Sequence, residues 1–227
     1  MSLQVVVYAE GAGERLGRRS RRFELPKRPG DTLLEQEGEL GAAHFLARRA
    51  IAHVSQIPKD AVQFEEPLRH RGMVARGSHL TNPTVLPSLL VWPEPTLRPE
   101  LAVVFVDCDG KKERRQELEN AITRLKPRAQ RVIAVAVQEF EAWLISDISA
   151  VRAALRIDAD EPSSPEKMAP REAKQQLTDW ITHSERADED PLRLRSDIAM
   201  SCDLEQLANR CDSFRRFLDD LEAALPA

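Results

Sequence analysis

Three short runs in this chain of 227 residues carry almost no polar side chain: 3–9 (LQVVVYA), 101–107 (LAVVFVD) and 131–137 (RVIAVAV). A strand with one wet face alternates apolar and polar residues, whereas a run without alternation needs cover on both sides. The stretches beside these runs place apolar residues at helical spacing. They are Leu40, Ala43, Ala47, Ile51 and Val54 within 35–54, then Leu118, Ala121, Ile122 and Leu125, then Phe140, Trp143, Leu144, Ile148 and Val151 within 139–155. Fully apolar strands among amphipathic helices predict an α/β fold with a mainly parallel sheet.

Residues 61–66 read as a further short strand and 84–92 as a short helix around Pro87. Loops are expected over 11–34, 67–83 and 93–99, which hold Gly, Pro and polar residues. Past a polar linker at 156–169 the pattern is helical throughout. Pro170 stands at a helix start, and Asp203 and Asp212 or Ser213 are expected N-caps. The layout expected is an α/β domain over 1–155 and a helical C-terminal region, 156–227, packed on it.

Apolar residues make up 42% and charged residues 31%, enough for a sizeable core. No apolar run nears the roughly 18 residues a membrane span needs, so no membrane role is expected. The opening MSLQVVVYAEG has neither a basic n-region nor a cleavage pattern. Three cysteines without a CxxC indicate neither a disulfide framework nor a zinc site, and a cytoplasmic setting fits.

Net charge is −4, yet the segment after the first strand holds Arg15, Arg18, Arg19, Arg21, Arg22, Lys27 and Arg28 against Glu14 and Glu24. It reads as a solvated loop or as a local phosphate-binding surface, with Arg18, Arg19, Arg21 and Arg22 as its contacts. His70 and His79 stand among Arg69, Arg71 and Arg76. That stretch reads as solvent-exposed loop, with a second phosphate-facing loop as the other reading. His44 and His53 are expected at the surface or its boundary, Cys108 in the core, and Trp143 and Trp180 in the core.

Acids end all three apolar strands: Glu10 the first, Asp107 and Asp109 the second, Glu139 and Glu141 the third. In a parallel sheet these would collect on the carboxyl edge, where ligands bind. Hard oxygen donors in a cluster suit Mg²⁺ or Mn²⁺. The bland readings are a turn at Glu10, and N-terminal helix charges at Asp107, Asp109, Glu139 and Glu141, where a carboxylate gains about 0.3–1 kcal/mol from the helix dipole. The metal reading requires Glu10 to lie within bridging reach of the 107/109 pair, with no arginine already in the gap. Lys111 is a candidate for stabilising charge on a leaving group. Lys174, Arg193 and Arg195 are the cations of the helical region that would reach this edge.

The pieces VVVYAEGAGE, VVFVDCDG, VIAVAVQEFEAWLISD and CDLEQLANRCDSFRRFLDDL resemble a bacterial Toprim-like group, domain-of-unknown-function family 4276, related to the Toprim domain of OLD-type nucleases. The resemblance implies a Rossmann-like Toprim core. It also implies kinship with metal-dependent nucleases that often work beside an ATPase in anti-phage defence. Carried over, Glu10 is the general acid/base or a metal ligand, Glu14 is the second acid, and Asp107 and Asp109 hold Mg²⁺. Glu139 and Glu141 match a signature without an assigned role. Gly13 departs from the Thr that many relatives place before the second Glu. Two other readings stand beside it. One is a Toprim-like shell without turnover that binds an ATPase or nucleic acid. The other is a haloacid-dehalogenase-like phosphatase with Asp107 as nucleophile, against which Lys111 replaces the expected Thr or Val.

Overall fold

A computed structural model describes residues 2–18, 27–91, 99–111, 113–123 and 130–226. Its strands are β1 (Leu3–Ala9), β2 (Val62–Glu65), β3 (Arg69–His70), β4 (Met73–Val74), β5 (Leu101–Asp107) and β6 (Gln130–Ala136). Its helices are α1 (Ala12–Arg15), α2 (Ala42–Val54), α3 (Ser78–Thr81), α4 (Leu86–Leu89), α5 (Arg114–Thr123), α6 (Glu141–Leu144), α7 (Ile148–Leu155), α8 (Glu172–Thr182), α9 (Pro191–Ser201), α10 (Leu204–Arg210) and α11 (Asp212–Ala224).

The main sheet has the order β2-β1-β5-β6, and every pairing in it is parallel. The fold is α/β, as the unbroken apolar runs require. Strand alternation sends Val5, Val7, Val103, Phe105 and Ala134 to one face, under α2 and the C-terminal helices. Val6, Tyr8, Val104, Val106, Ile133 and Val135 go to the other, against Leu80, Leu86, Leu89 and Leu118. On the first face Trp143 stacks with Phe217 and meets Phe105, Phe140 and Phe214 edge-on or tilted. Such aromatic pairs add about 0.5–1.5 kcal/mol each beyond their burial. The Trp143 indole N–H donates to Ser213 Oγ at 2.8 Å, tying α6 to α11.

Crossover direction reverses between β1 and β5: the chain leaves β1 for β2 on one side and β5 for β6 on the other. The carboxyl ends of β1 and β5 therefore flank a topological switch point, where α/β sheets place their ligands.

Several local expectations are corrected. The pattern over 35–54 is not one helix. Gly38 takes a left-handed φ of 68°, and a Cβ on Gly41 would lie 2.4 Å from the Glu14 carbonyl oxygen, so the chain breaks there and α2 starts at Ala42. The helix expected over 139–155 is two, because the Asp147 carboxylate accepts the amides of Ser149 and Ala150 and opens α7. The 11–34 loop contains α1, and the 67–83 loop contains the β3–β4 hairpin and α3. Asp212 opens α11, whose N-cap is Cys211 rather than Asp212 or Ser213. His44 is fully buried, accepting from the Gly41 amide and meeting Phe64 edge-on. Trp180 is only half-buried. No helix among the described residues is long and apolar enough to cross a membrane.

Candidate active site at the carboxyl edge of the sheet

Glu10 follows β1 directly, and its amide donates to the Phe105 carbonyl across the switch point. Its carboxylate accepts the Asp107 amide at 3.0 Å. Asp107 closes β5 and its Oδ1 accepts the Phe140 amide at 2.8 Å, which aims the side chain along the edge toward the turn before α6. Glu14 sits on α1, 3% exposed, folded back so that Oε2 accepts the Gly11 amide at 3.1 Å. A Cβ on Gly11 would lie 2.2 Å from Glu14 Oε1; the glycine gives this carboxylate its place. Glu141, on α6, is fully buried, and its Oε1 accepts from Arg195 at 2.6 Å with Lys174 Nζ 3.7 Å away. Its Oε2 is buried without a hydrogen-bond partner among the described residues.

Three segments far apart in sequence thus bring four carboxylates together, and their electrostatics record it. Burial first, then the charges of Glu14, Glu141 and Glu10, push the Asp107 carboxyl up to about 9. Burial and then Glu141 raise Glu14 to about 7. Burial also raises Glu10, opposed by the hydrogen bond from the Asp107 amide. A carboxylate is held off ionisation this way when like charges share a low-dielectric site with too few counter-charges.

Asp109 does not join this group. It and Gly110 both have positive φ, 48° and 73°, in a turn closed by the Lys111 amide on the Cys108 carbonyl, conformations that an Asp-Gly pair tolerates. Its carboxylate, about half exposed, accepts from Arg114 at 2.9 Å. The same guanidinium donates to the Asp107 carbonyl and lies 4.0 Å from Glu10. An arginine therefore fills the space between Glu10 and Asp109, so the condition set for the metal reading fails at Asp109, and that reading is left with Glu10 and Asp107. Nothing in the run KKERRQ marked Arg114 out from its basic neighbours.

Glu139 acts locally, its Oε2 accepting the Lys174 amide at 3.1 Å and capping α8. Glu66, another strand-end acid, is satisfied by Arg15 and Arg69 at 3.4 and 3.3 Å. Lys111 is exposed beside the turn. Arg18 lies against Gly38, while Arg19, Arg21 and Arg22 lie outside the described residues. A cavity of about 340 Å³ opens beside Glu14, lined by Gly13, Lys174, Thr178, Leu192 and Arg195 among others. A larger one, about 840 Å³ between the 162–168 segment and α8, contains none of the acids.

Residues 35–222 match the model of a family described as Domain of unknown function (DUF4276). The chain belongs to this family. A search of curated proteins finds no match. Among solved structures, the DUF4276 chain is similar to the C-terminal region of the Xanthomonas campestris pv. campestris OLD protein. The two share 15% identity over 98% of this chain and 95% of that one, with a TM-score of 0.41.

For a divalent cation the chemistry of the donors fits: Glu10, Glu14, Asp107 and Glu141 offer hard carboxyl oxygens, which a cation would hold in the ionised form. Among the described residues no three acidic, His or Cys side chains form a group that could hold a metal on its own. Mg²⁺ or Mn²⁺ held there would have to take most of its shell from water and phosphate oxygens. Glu10 and Asp107, joined by a hydrogen bond, are the pair this DUF4276 chain offers.

Proposed function

We propose that the chain is a Toprim-type, Mg²⁺- or Mn²⁺-dependent nuclease that hydrolyses phosphodiesters. The observation that carries this reading is the meeting of Glu10, Glu14, Asp107 and Glu141 at the switch point, with carboxyls raised by burial and then by one another's charge. Glu10 and Asp107 would hold the ion, with Glu14 and Glu141 behind them. Mg²⁺ held there would polarise a phosphodiester oxygen and lower the pKa of a bound water. Glu10, half-buried at the edge, would take the proton from the attacking water. Arg114 fixes the Asp109-Gly110 turn, and Lys111, exposed beside that turn, would meet charge on the leaving oxygen. Anti-phage defence and an ATPase partner belong to the same reading.

Plasmid nicking in Mn²⁺ tests it. Cleavage by the wild type and its loss in Glu10→Gln and Asp107→Asn are expected; no cleavage by the wild type overturns it.

Arg114 favours a second reading. A guanidinium already between Glu10 and Asp109 can serve as the counter-ion, leaving a shell that binds nucleic acid or an ATPase without turnover. Calorimetry with Mn²⁺ separates the two, since this reading expects no ion bound at the acids.

A further inference from the structure

The segment Leu68–Gly77 leaves and re-enters the fold at the end of β1. The Leu68 amide donates to the buried Tyr8 hydroxyl at 3.1 Å, and that hydroxyl donates to the Leu89 carbonyl at 2.5 Å. Nine residues later the Gly77 amide donates to the Glu10 carbonyl at 2.9 Å. Tyr8 of β1 and Glu10 of the acid site thus hold the two ends of a hairpin. Arg69 anchors its first strand through Glu66 and the Lys27 carbonyl, and the His70 and His79 rings, 4.9 Å apart, brace it against α3.

What projects beyond these anchors is cationic. Arg71 and Gly72 form the two-residue turn between His70 and Met73, both at positive φ, 48° and 78°. Such turns favour Asn-Gly or Gly-Gly; an arginine at the first position costs backbone strain. Strain kept at an exposed tip points to a use for the side chain. Arg71 and Arg76 are exposed and make no ion pair with any described residue, and Met73 beside them is 58% exposed. No acid interrupts the sequence from Pro67 to Pro93, although the whole chain is net negative.

We infer that the 69–76 hairpin is an arm that grips the phosphate backbone of duplex DNA and delivers it to the edge bearing Glu10. The choice of a nucleic acid rests on the phosphodiester reading above; the grip itself needs neither metal nor turnover. A two-stranded ribbon with one guanidinium at its tip, Arg71, and another near its base, Arg76, has the shape and charge to lie along a groove wall.

The experiment is fluorescence anisotropy of a labelled 24-bp DNA duplex with the full chain in EDTA, over a salt series. Each phosphate contact contributes about 0.9 to the slope of log K against log salt, so Arg71→Gln with Arg76→Gln should lower the slope by about 2. Arg71→Gly should weaken binding while raising the melting temperature, because it removes the strained arginine. Absence of duplex binding by the wild type, an unchanged slope in the double variant, or a loss confined to the matching single strand overturns the inference. Binding that persists in a wild type unable to nick plasmid would sink the nuclease reading and leave the arm standing.

Discussion

The Asp107 amide donates to the Glu10 carboxylate across 3.0 Å, although 97 residues separate the two. The bond runs from main chain to side chain, so it survives changes to the Asp107 side chain. The Asp107 carboxyl can therefore be altered without taking Glu10 from its place, and that separates chemistry from folding at this edge.

Asp107→Asn should fold and be more stable than the wild type at pH 8. An amide oxygen still accepts from Phe140, and a charge-prone group leaves a crowded acid site. For a chain of this size the melting temperature moves about 2–4 °C per kcal/mol, and a rise of a few degrees is expected by circular dichroism. Stabilisation by added Mn²⁺ should disappear in the same variant.

Stability without metal should fall as pH rises. The folded-state values of Asp107, about 9, and Glu14, about 7, lie above the ordinary carboxylate range. The folded state therefore holds these protons more tightly than the unfolded chain. The contribution is complete below about pH 4 and is lost as pH climbs toward about 9. Urea melts across that window, with EDTA and then with Mn²⁺, should show the decline and its reversal by the ion. A profile that rises throughout would contradict the burial of these groups.

Arg195→Ala should destabilise strongly, by about 3 kcal/mol, since it strands a fully buried carboxylate. Lys174, at 3.7 Å and half exposed, compensates only in part. Pairing the change with Glu141→Gln should restore most of the loss in urea denaturation; additive losses would show that the ion pair is not what Arg195 provides.

Gly41→Ala should cost about 2 kcal/mol, because the new Cβ would meet main-chain atoms of Glu14, Arg15 and Leu16 within 2.6 Å. The displacement falls on α1, so nicking should fall along with stability. An alanine variant with wild-type melting and activity would mean that α1 has room to move.

The strands β1, β5 and β6 were legible because burial on both faces removes polar residues. Glu10 and Asp107 were legible for a related reason: a charge directly after such a run stands out. The breaks at Gly41 and Asp147 were not, since each depends on a contact that helical spacing does not encode: the approach of α1 in one case, a side chain competing for amides in the other. Arg114 was hidden more deeply, and Arg195 was only one of three candidate cations beside Lys174 and Arg193. Arginines abound on helices, and only the folded chain shows which of them faces an acid 54 residues away, as Arg195 does Glu141. The hairpin at 69–74 lacks the alternation that betrays a strand, because both its faces are partly wet.

β1 is an inner strand whose partners come much later: Leu3 pairs with Val62, and Val5 with Leu101. At translation rates of roughly 5–20 residues per second, its ribbon of valines waits about 5–20 s for its second neighbour to be made. During that interval the nascent polypeptide shows two sticky borders to everything around it.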